Sequence, residues 1–302
     1  MPKGSRFDQE ALQGYVQVEN ARLYYRTIGR GMPAIVLHGG PDFDHHYLLP
    51  ELDRLSSGFR LIYYDQRGRG RSGRGIEPEQ VSMASEIADL HRVMEHFDLR
   101  QAVLIGHSWG GLLALAFAVR HPHPVSHVIL LNSAPVSEDD LQLFRLSRQR
   151  TAAADLEAMR TLSITAGYAA GDLDMDAAYY RMHFKTAMYR PEHLESVIER
   201  LRADMTPEGI RKARAIEQRL YEETWLVDGY SLLPLLNRLS VPTLVIHGDQ
   251  DFIPLACAEH IAQAIPGARL AVLQDCGHFS FLEQPEQVER LIAEFCLPAR
   301  QV

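Results

Sequence analysis

The chain has 302 residues, 46% of them hydrophobic, which supplies enough apolar side chain for a sizeable folded core and argues against disorder. Its formal net charge of -8 and isoelectric point near 6.0 oppose binding to phosphate backbones or anionic membranes, so the expected partner is a small molecule or short peptide and neither nucleic acid nor membrane. Three cysteines, Cys257, Cys276 and Cys296, are too few and too late for a disulfide framework, and residues 1–8 have no apolar run behind their positive charges; together these predict a soluble cytoplasmic protein.

In chain order, residues 15–27 suggest a strand pair. Ala34-Ile35-Val36-Leu37 is a short apolar run stopped by His38-Gly39-Gly40-Pro41, as a buried strand would be. Leu61-Ile62-Tyr63-Tyr64 forms a second such run and ends at Asp65. The following Arg67-Gly68-Arg69-Gly70-Arg71-Ser72-Gly73-Arg74-Gly75 has the composition of an RNA-binding segment, but it follows a strand in an acidic chain without nearby RNA-stacking aromatics, so it is read as a loop. Residues 82–97 carry Met83, Ile87, Leu90, Val93, Met94 and Phe97 at helical spacing. Ala102-Val103-Leu104-Ile105, an apolar helix over 110–119 and Val128-Ile129-Leu130-Leu131 complete a βαβαβ rhythm, which predicts a mostly parallel sheet with helices on both faces.

From 137 to about 237 the rhythm stops: the segment is rich in Ala, Leu, Arg and Glu at helical spacing, and Ser137-Glu138-Asp139-Asp140 opens it like a helix N-terminus. The sheet pattern resumes at Thr243-Leu244-Val245-Ile246 and again at 269–273. The fold class expected is α/β with a helical cap inserted before the last two strands, giving a core of residues 1–136 and 238–302 interrupted by a cap of 137–237.

Gly106-His107-Ser108-Trp109-Gly110 lies between a buried strand and an apolar helix. Small residues at both ends allow a sharp turn that exposes the serine hydroxyl, and the helix start aims N–H groups at the same place. Ser108 is therefore the candidate nucleophile. A serine hydroxyl needs a base; of 14 histidines, His278, after the last strand and beside Gly277, is best placed. The base needs an orienting carboxylate, and Gly248-Asp249-Gln250-Asp251 offers two; Asp251 lies further past the strand end and is preferred, with Asp249 in reserve. The N–H groups of Gly40 and Trp109 are candidate oxyanion donors. His38 and His107 are read as structural, Cys276 as a small buried side chain and not a catalytic thiol, and His121, His123 and His127 as a turn and not a metal site. His45-His46 could line the pocket or decorate it. No metal or organic cofactor is expected.

His38-Gly39-Gly40-Pro41, Asp65-Gln66-Arg67-Gly68-Arg69-Gly70-Arg71-Ser72, Gly106-His107-Ser108-Trp109-Gly110-Gly111, Gly248-Asp249-Gln250-Asp251 and Gly277-His278 together resemble the proline iminopeptidase branch of the α/β-hydrolases. The resemblance implies a serine hydrolase that releases N-terminal residues from peptides or arylamides, with the helical insertion closing over its pocket. The family usually continues its first loop with glycine, where this chain has Asp42, and the expected cap signature containing Trp and Glu is not evident. Cap carboxylates in the family hold the substrate's free α-amine; alignment by eye on Ala213-Arg214-Ala215-Ile216-Glu217 makes Glu217 the candidate, against a plain solvated helix face. A carboxylesterase would share the core chemistry, and a non-catalytic ligand-binding receptor would share the fold.

Overall fold

The computed structural model describes residues 11–297; the N-terminal stretch 1–8, read from sequence as lacking an apolar leader, lies outside them. Eight strands form one sheet: β1 (Leu12–Val18), β2 (Ala21–Ile28), β3 (Met32–Leu37), β4 (Phe59–Tyr64), β5 (Ala102–His107), β6 (Val125–Leu131), β7 (Thr243–Gly248) and β8 (Arg269–Leu273). Their order is β1-β2-β4-β3-β5-β6-β7-β8. The first two strands run antiparallel to their neighbours, and every pairing from β4 through β8 is parallel. Every residue of β5 and β7 is buried, as expected of strands covered on both faces.

Helices α1 (Met83–His96) and α2 (Trp109–Arg120) cover the sheet. Ser82 caps α1 by accepting the Ser85 N–H at 3.0 Å, and the apolar residues foreseen at Ile87, Leu90, Val93 and Met94 face inward. The first ten residues of α2 are buried, so this helix is apolar all round because it lies inside the core. Between β6 and β7 come α3 (Glu138–Thr151), α4 (Ala153–Ser163), α5 (Ala166–Ala170), α6 (Leu173–Phe184), α7 (Leu194–Arg202), α8 (Pro207–Glu222) and α9 (Leu233–Leu236). Ser137 caps α3 through the Asp140 N–H at 3.1 Å. The rest of the core is α10 (Leu255–Ala264), α11 (Ser280–Glu283) and α12 (Pro285–Cys296). Among the described residues no helix is long and apolar enough to cross a membrane.

The arginine-rich loop after β4 folds inward and acts as a brace. Arg67 forms a two-pronged pair with Asp89 at 2.8 and 2.6 Å, and Arg69 bonds Glu86 and Gln66, both at 2.7 Å. Both guanidiniums are buried, so the loop presents neither to a nucleic acid. Asp65 anchors the other side, accepting from His45 Nδ1 at 2.6 Å and from the Arg71 N–H at 2.9 Å. His45 thus belongs to the brace, and its neighbour His46 bonds Asp44 at 2.9 Å. All three described cysteines are buried and unbridged, and burial pushes the Cys276 thiol well above its ordinary value.

Candidate active site

Parallel strands deliver their C-terminal ends to one edge of the sheet, and the loops that leave β3, β5, β6, β7 and β8 meet there. Ser108 sits in the turn between β5 and α2 at φ 52° and ψ -117°, a strained conformation for a residue with a side chain. The surroundings over-determine it: the Ser108 N–H donates to Leu131 O at 3.0 Å, and its carbonyl accepts from Gly111 at 2.9 Å and Ala134 at 3.0 Å. A Cβ on Gly106 would collide with the Gly110 carbonyl, and one on Gly110 with the Leu37 carbonyl, so glycine is required at both ends of the turn. Trp109 is the first residue of α2, and its N–H is among those a helix leaves without an intrahelical partner. Gly40, at φ 122°, lines the same cavity as Ser108.

His278 lies beyond β8 with its N–H donating to Ala187 O, between α6 and α7, at 2.7 Å. Its Nδ1 faces both oxygens of Asp251 at 3.0 Å, which leaves Nε2 as the nitrogen free to take a proton. The Asp251 side chain is fully enclosed. Burial opposes its ionisation, yet His278, His247 and the Ile253 N–H, which donates to Oδ1 at 2.9 Å, together hold its carboxyl below the usual range. Asn132, at the end of β6, donates Nδ2 to Asp251 Oδ2 at 2.8 Å and to Gly277 O at 3.0 Å. Asp249 does not reach His278; it accepts the Cys276 N–H at 3.3 Å instead.

His107 turns away from Ser108, into a chain of hydrogen bonds beneath it. The Gly39 N–H donates to Tyr47 Oη at 2.7 Å, the Tyr47 hydroxyl donates to His107 Nδ1 at 2.7 Å, and His107 Nε2–H donates to the His278 carbonyl at 3.0 Å. Burial lowers the His107 pKa to about 3, so this chain has a single polarity. His38 braces the glycine loop in the same way, donating from Nδ1 to Gly39 O at 2.9 Å and accepting the Gln66 N–H on Nε2 at 3.1 Å.

Ser108, His278 and Gly40 open into a cavity of about 80 Å³ whose other lining residues include Phe43, Phe184, Phe252, Tyr179, Tyr180 and Phe279. Two carboxylates also face it. Glu217, on α8, is half-buried and accepts the Tyr221 hydroxyl at 2.6 Å. Asp42, where the family resemblance leads one to expect glycine, is buried and accepts the Tyr180 hydroxyl. Burial raises the Asp42 carboxyl, against Arg202 and the Tyr180 hydroxyl; burial first, then Asp42, pushes Glu217 up to about 8. Arg202 and Arg214 spend themselves on buried Asp176, Arg202 at 2.9 Å, so among the described residues neither cavity carboxylate has a direct ion pair. Glu222, Glu223 and Asp228, the acids that competed with Glu217 in the sequence, are exposed. A larger open depression of about 1310 Å³ lies elsewhere, lined by Arg67, Met83 and Arg120 among others, and includes none of the candidate residues.

Among the described residues, one group of metal-type donors comes together, Asp44, His45 and His46, with ligand atoms within 4.8 Å. Two of its ring nitrogens are already committed, His45 Nδ1 to Asp65 and His46 Nδ1 to Asp44.

The α/β hydrolase fold family matches residues 33–285. A proline iminopeptidase of Lactobacillus crispatus (strain ST1) is 27% identical, covering 95% of this chain and 98% of its own. Among solved structures, the proline iminopeptidase of Mycobacterium smegmatis has TM-score 0.71 and 22% identity over 94% of this chain and 97% of its own. An esterase from Exiguobacterium antarcticum has the same TM-score with 23% identity over 95% and 100%. With its parallel sheet, its strand-to-helix serine turn and a family match across most of its length, the chain belongs to the family of α/β-hydrolase-fold enzymes.

Proposed function

We propose that the enzyme is an aminopeptidase resembling the proline iminopeptidases, working through an acyl-enzyme on Ser108. His278 takes the Ser108 proton, the alkoxide attacks the substrate carbonyl, and the N–H groups of Gly40 and Trp109 hold the oxyanion. His278 then gives the proton to the leaving amine, and water activated by the same base hydrolyses the ester. Asp251 holds the imidazole in the tautomer this needs. The domain reading that goes with it is a cap of residues 137–237 closing over a core formed by 1–136 and 238–302.

What supports an amine-bearing substrate is the pair Asp42 and Glu217. Two carboxylates in an aromatic wall, each accepting a tyrosine hydroxyl and, among the described residues, without a guanidinium in direct ion pairing, are costly when ionised unless a cation joins them. A substrate ammonium supplies that cation. The cavity of about 80 Å³ is smaller than the ~150 Å³ that admits benzene, so the site suits a small acyl residue.

A proline arylamide with a free amine, its N-blocked form and a short-chain nitrophenyl ester separate the readings. The free amine is expected to give the highest kcat/KM of the three. Preference for the ester with indifference to the amine would favour a carboxylesterase and sink the peptidase reading. Failure of a fluorophosphonate probe to label Ser108 would point to a ligand-binding receptor on the same fold.

A further inference from the structure

The backbone around the proposed base is held by four hydrogen bonds from four parts of the fold, and one of the partners has no place in the mechanism above. The His278 N–H donates to Ala187 O at 2.7 Å, the His278 carbonyl accepts from His107 Nε2 at 3.0 Å, and the Gly277 carbonyl accepts from Asn132 Nδ2 at 3.0 Å. The fourth group, the Gly277 N–H, donates to Oε2 of Glu283. Glu283 closes α11: its own N–H donates to Phe279 O at 3.0 Å, and that single helical turn brings the carboxylate back to a peptide six positions earlier. The residue is buried, 2% exposed.

The second oxygen of Glu283 reaches a different segment. Oε1 accepts the Arg190 N–H at 2.7 Å, so one carboxylate grips both the base loop and the segment 187–190. The two run close together, since a Cβ on Gly277 would collide with the Ala187 carbonyl. Residues 187–190 follow α6, whose Tyr179, Tyr180 and Phe184 line the cavity. Burial raises the Glu283 carboxyl, and the N–H groups of Arg190, Gly277 and Tyr189, with His193 nearby, oppose the rise. Both oxygens are needed as acceptors, and an amide in the same place would turn an N–H donor toward one of those N–H groups. We infer that Glu283 is a positioning residue for the proposed reaction: its carboxylate ties the peptide before His278 to the segment after α6 and so fixes where the imidazole stands between Ser108 and Asp251.

This inference rests on the Ser108 acyl-enzyme reading but not on the identity of the acyl group, so whichever of the prolyl arylamide and the nitrophenyl ester turns over faster serves as substrate. In Glu283→Gln, kcat is expected to fall about 10- to 100-fold while KM stays within about twofold, because a misplaced base costs the transition state and not substrate binding. Fluorophosphonate labelling of Ser108 should slow by a similar factor. Glu283→Asp, which keeps both accepting oxygens, should recover part of kcat. In a His278→Ala background, Glu283→Gln should change the residual rate less than about twofold, since there is then no base to position. A parental kcat in Glu283→Gln overturns the inference, and so does an equal fall with and without His278, which would mark a general loss of packing. If Glu283→Gln does not fold, Glu283→Asp is put through the same pair of backgrounds, and a fall that does not depend on His278 overturns the inference there as well. Failure of the peptidase reading leaves the test intact on the ester, whereas absence of fluorophosphonate labelling in the parent protein overturns both the acyl-enzyme reading and this one.

Discussion

The imidazole of His107 donates a hydrogen bond from Nε2 to the backbone carbonyl of His278 at 3.0 Å, although 171 positions separate the two residues. Because His107 Nδ1 accepts from Tyr47, and Tyr47 from Gly39, one directional chain ties the glycine loop to the loop of the proposed base. The loop that carries the proposed oxyanion donor Gly40 and the loop that carries the proposed base are thereby tied together beneath Ser108.

Tyr47→Phe breaks that chain at its centre and leaves the Gly39 N–H and His107 Nδ1 without partners. A stability loss of about 1–3 kcal/mol is expected in denaturant unfolding. In steady-state kinetics kcat should fall more than KM changes, because the loop supports the transition state more than the ground state. A kcat equal to that of the parent would show that the chain does not set the geometry of the site.

Ser108→Ala is expected to lower kcat by several powers of ten and to abolish fluorophosphonate labelling. Asp251→Asn should cost orders of magnitude as well, with labelling slowed but retained, since the serine remains and only the imidazole loses its orienting anion. Turnover in Ser108→Ala at the parental rate would place the nucleophile elsewhere.

Glu217 gives a pH-dependent prediction whose sign follows from its raised pKa. With a value of about 8 it is mostly protonated at pH 7, and so is a substrate α-amine of pKa ~7.7–8.0. The ammonium–carboxylate pair needs only one of those two protons. Binding of a prolyl arylamide to the Ser108→Ala protein should therefore release close to one proton at pH 7, read by calorimetry in buffers of different ionisation enthalpy. Adding Glu217→Gln should abolish the release and weaken binding. In the free protein the same shift means the folded state holds this proton more tightly than the unfolded one. That contribution to stability is full below about pH 4.5, wanes as pH rises toward 8, and should vanish in Glu217→Gln melts.

Asp176 ties α6 to two neighbouring helices by pairing Arg202 from α7 and Arg214 from α8. Its side chain is 1% exposed, so Asp176→Asn strands two guanidiniums beside an apolar surface, and a loss of about 3–5 kcal/mol is expected in urea unfolding. Amine-bearing substrates should also show a raised KM, because freed Arg202 and Arg214 can then compete for Asp42 and Glu217. A stable variant with parental KM would show that the packing of α6, α7 and α8 does not depend on this ion triad.

The sequence by itself determined the sheet and the serine turn, because both are written in local patterns. Apolar runs at 34–37, 102–105 and 243–246 read as buried strands, and they are the interior of β3, β5 and β7. Gly106 and Gly110 mark a turn that no other residue fits, so Ser108 was legible from five letters. His278 and Asp251 were legible as candidates because parallel strands deliver their following loops to one edge. The choice between Asp249 and Asp251 was narrower: adjacent acids in one loop point in different directions, and only the placed backbone turns Asp251 to His278 and Asp249 to Cys276.

Tertiary structure alone decided the cavity wall. Glu217 flanks the inward stripe Ile210, Ala213, Ile216 and Leu220, so helical periodicity held a signal that separated it from Glu222 and Glu223, but which object the stripe packs against is a non-local fact. Asp42 stood out in sequence only as a departure from glycine; its role depends on Tyr180, 138 positions away. Tyr47 and Asn132 left no mark, since a tyrosine and an asparagine acquire chemical meaning from the partner they meet across the fold. Local spacing encodes strands, helices and turns; the direction in which a side chain between β6 and β7 faces is set by how α3 to α9 pack on the rest of the fold, and the proposed amine contact at Glu217 depends on that packing.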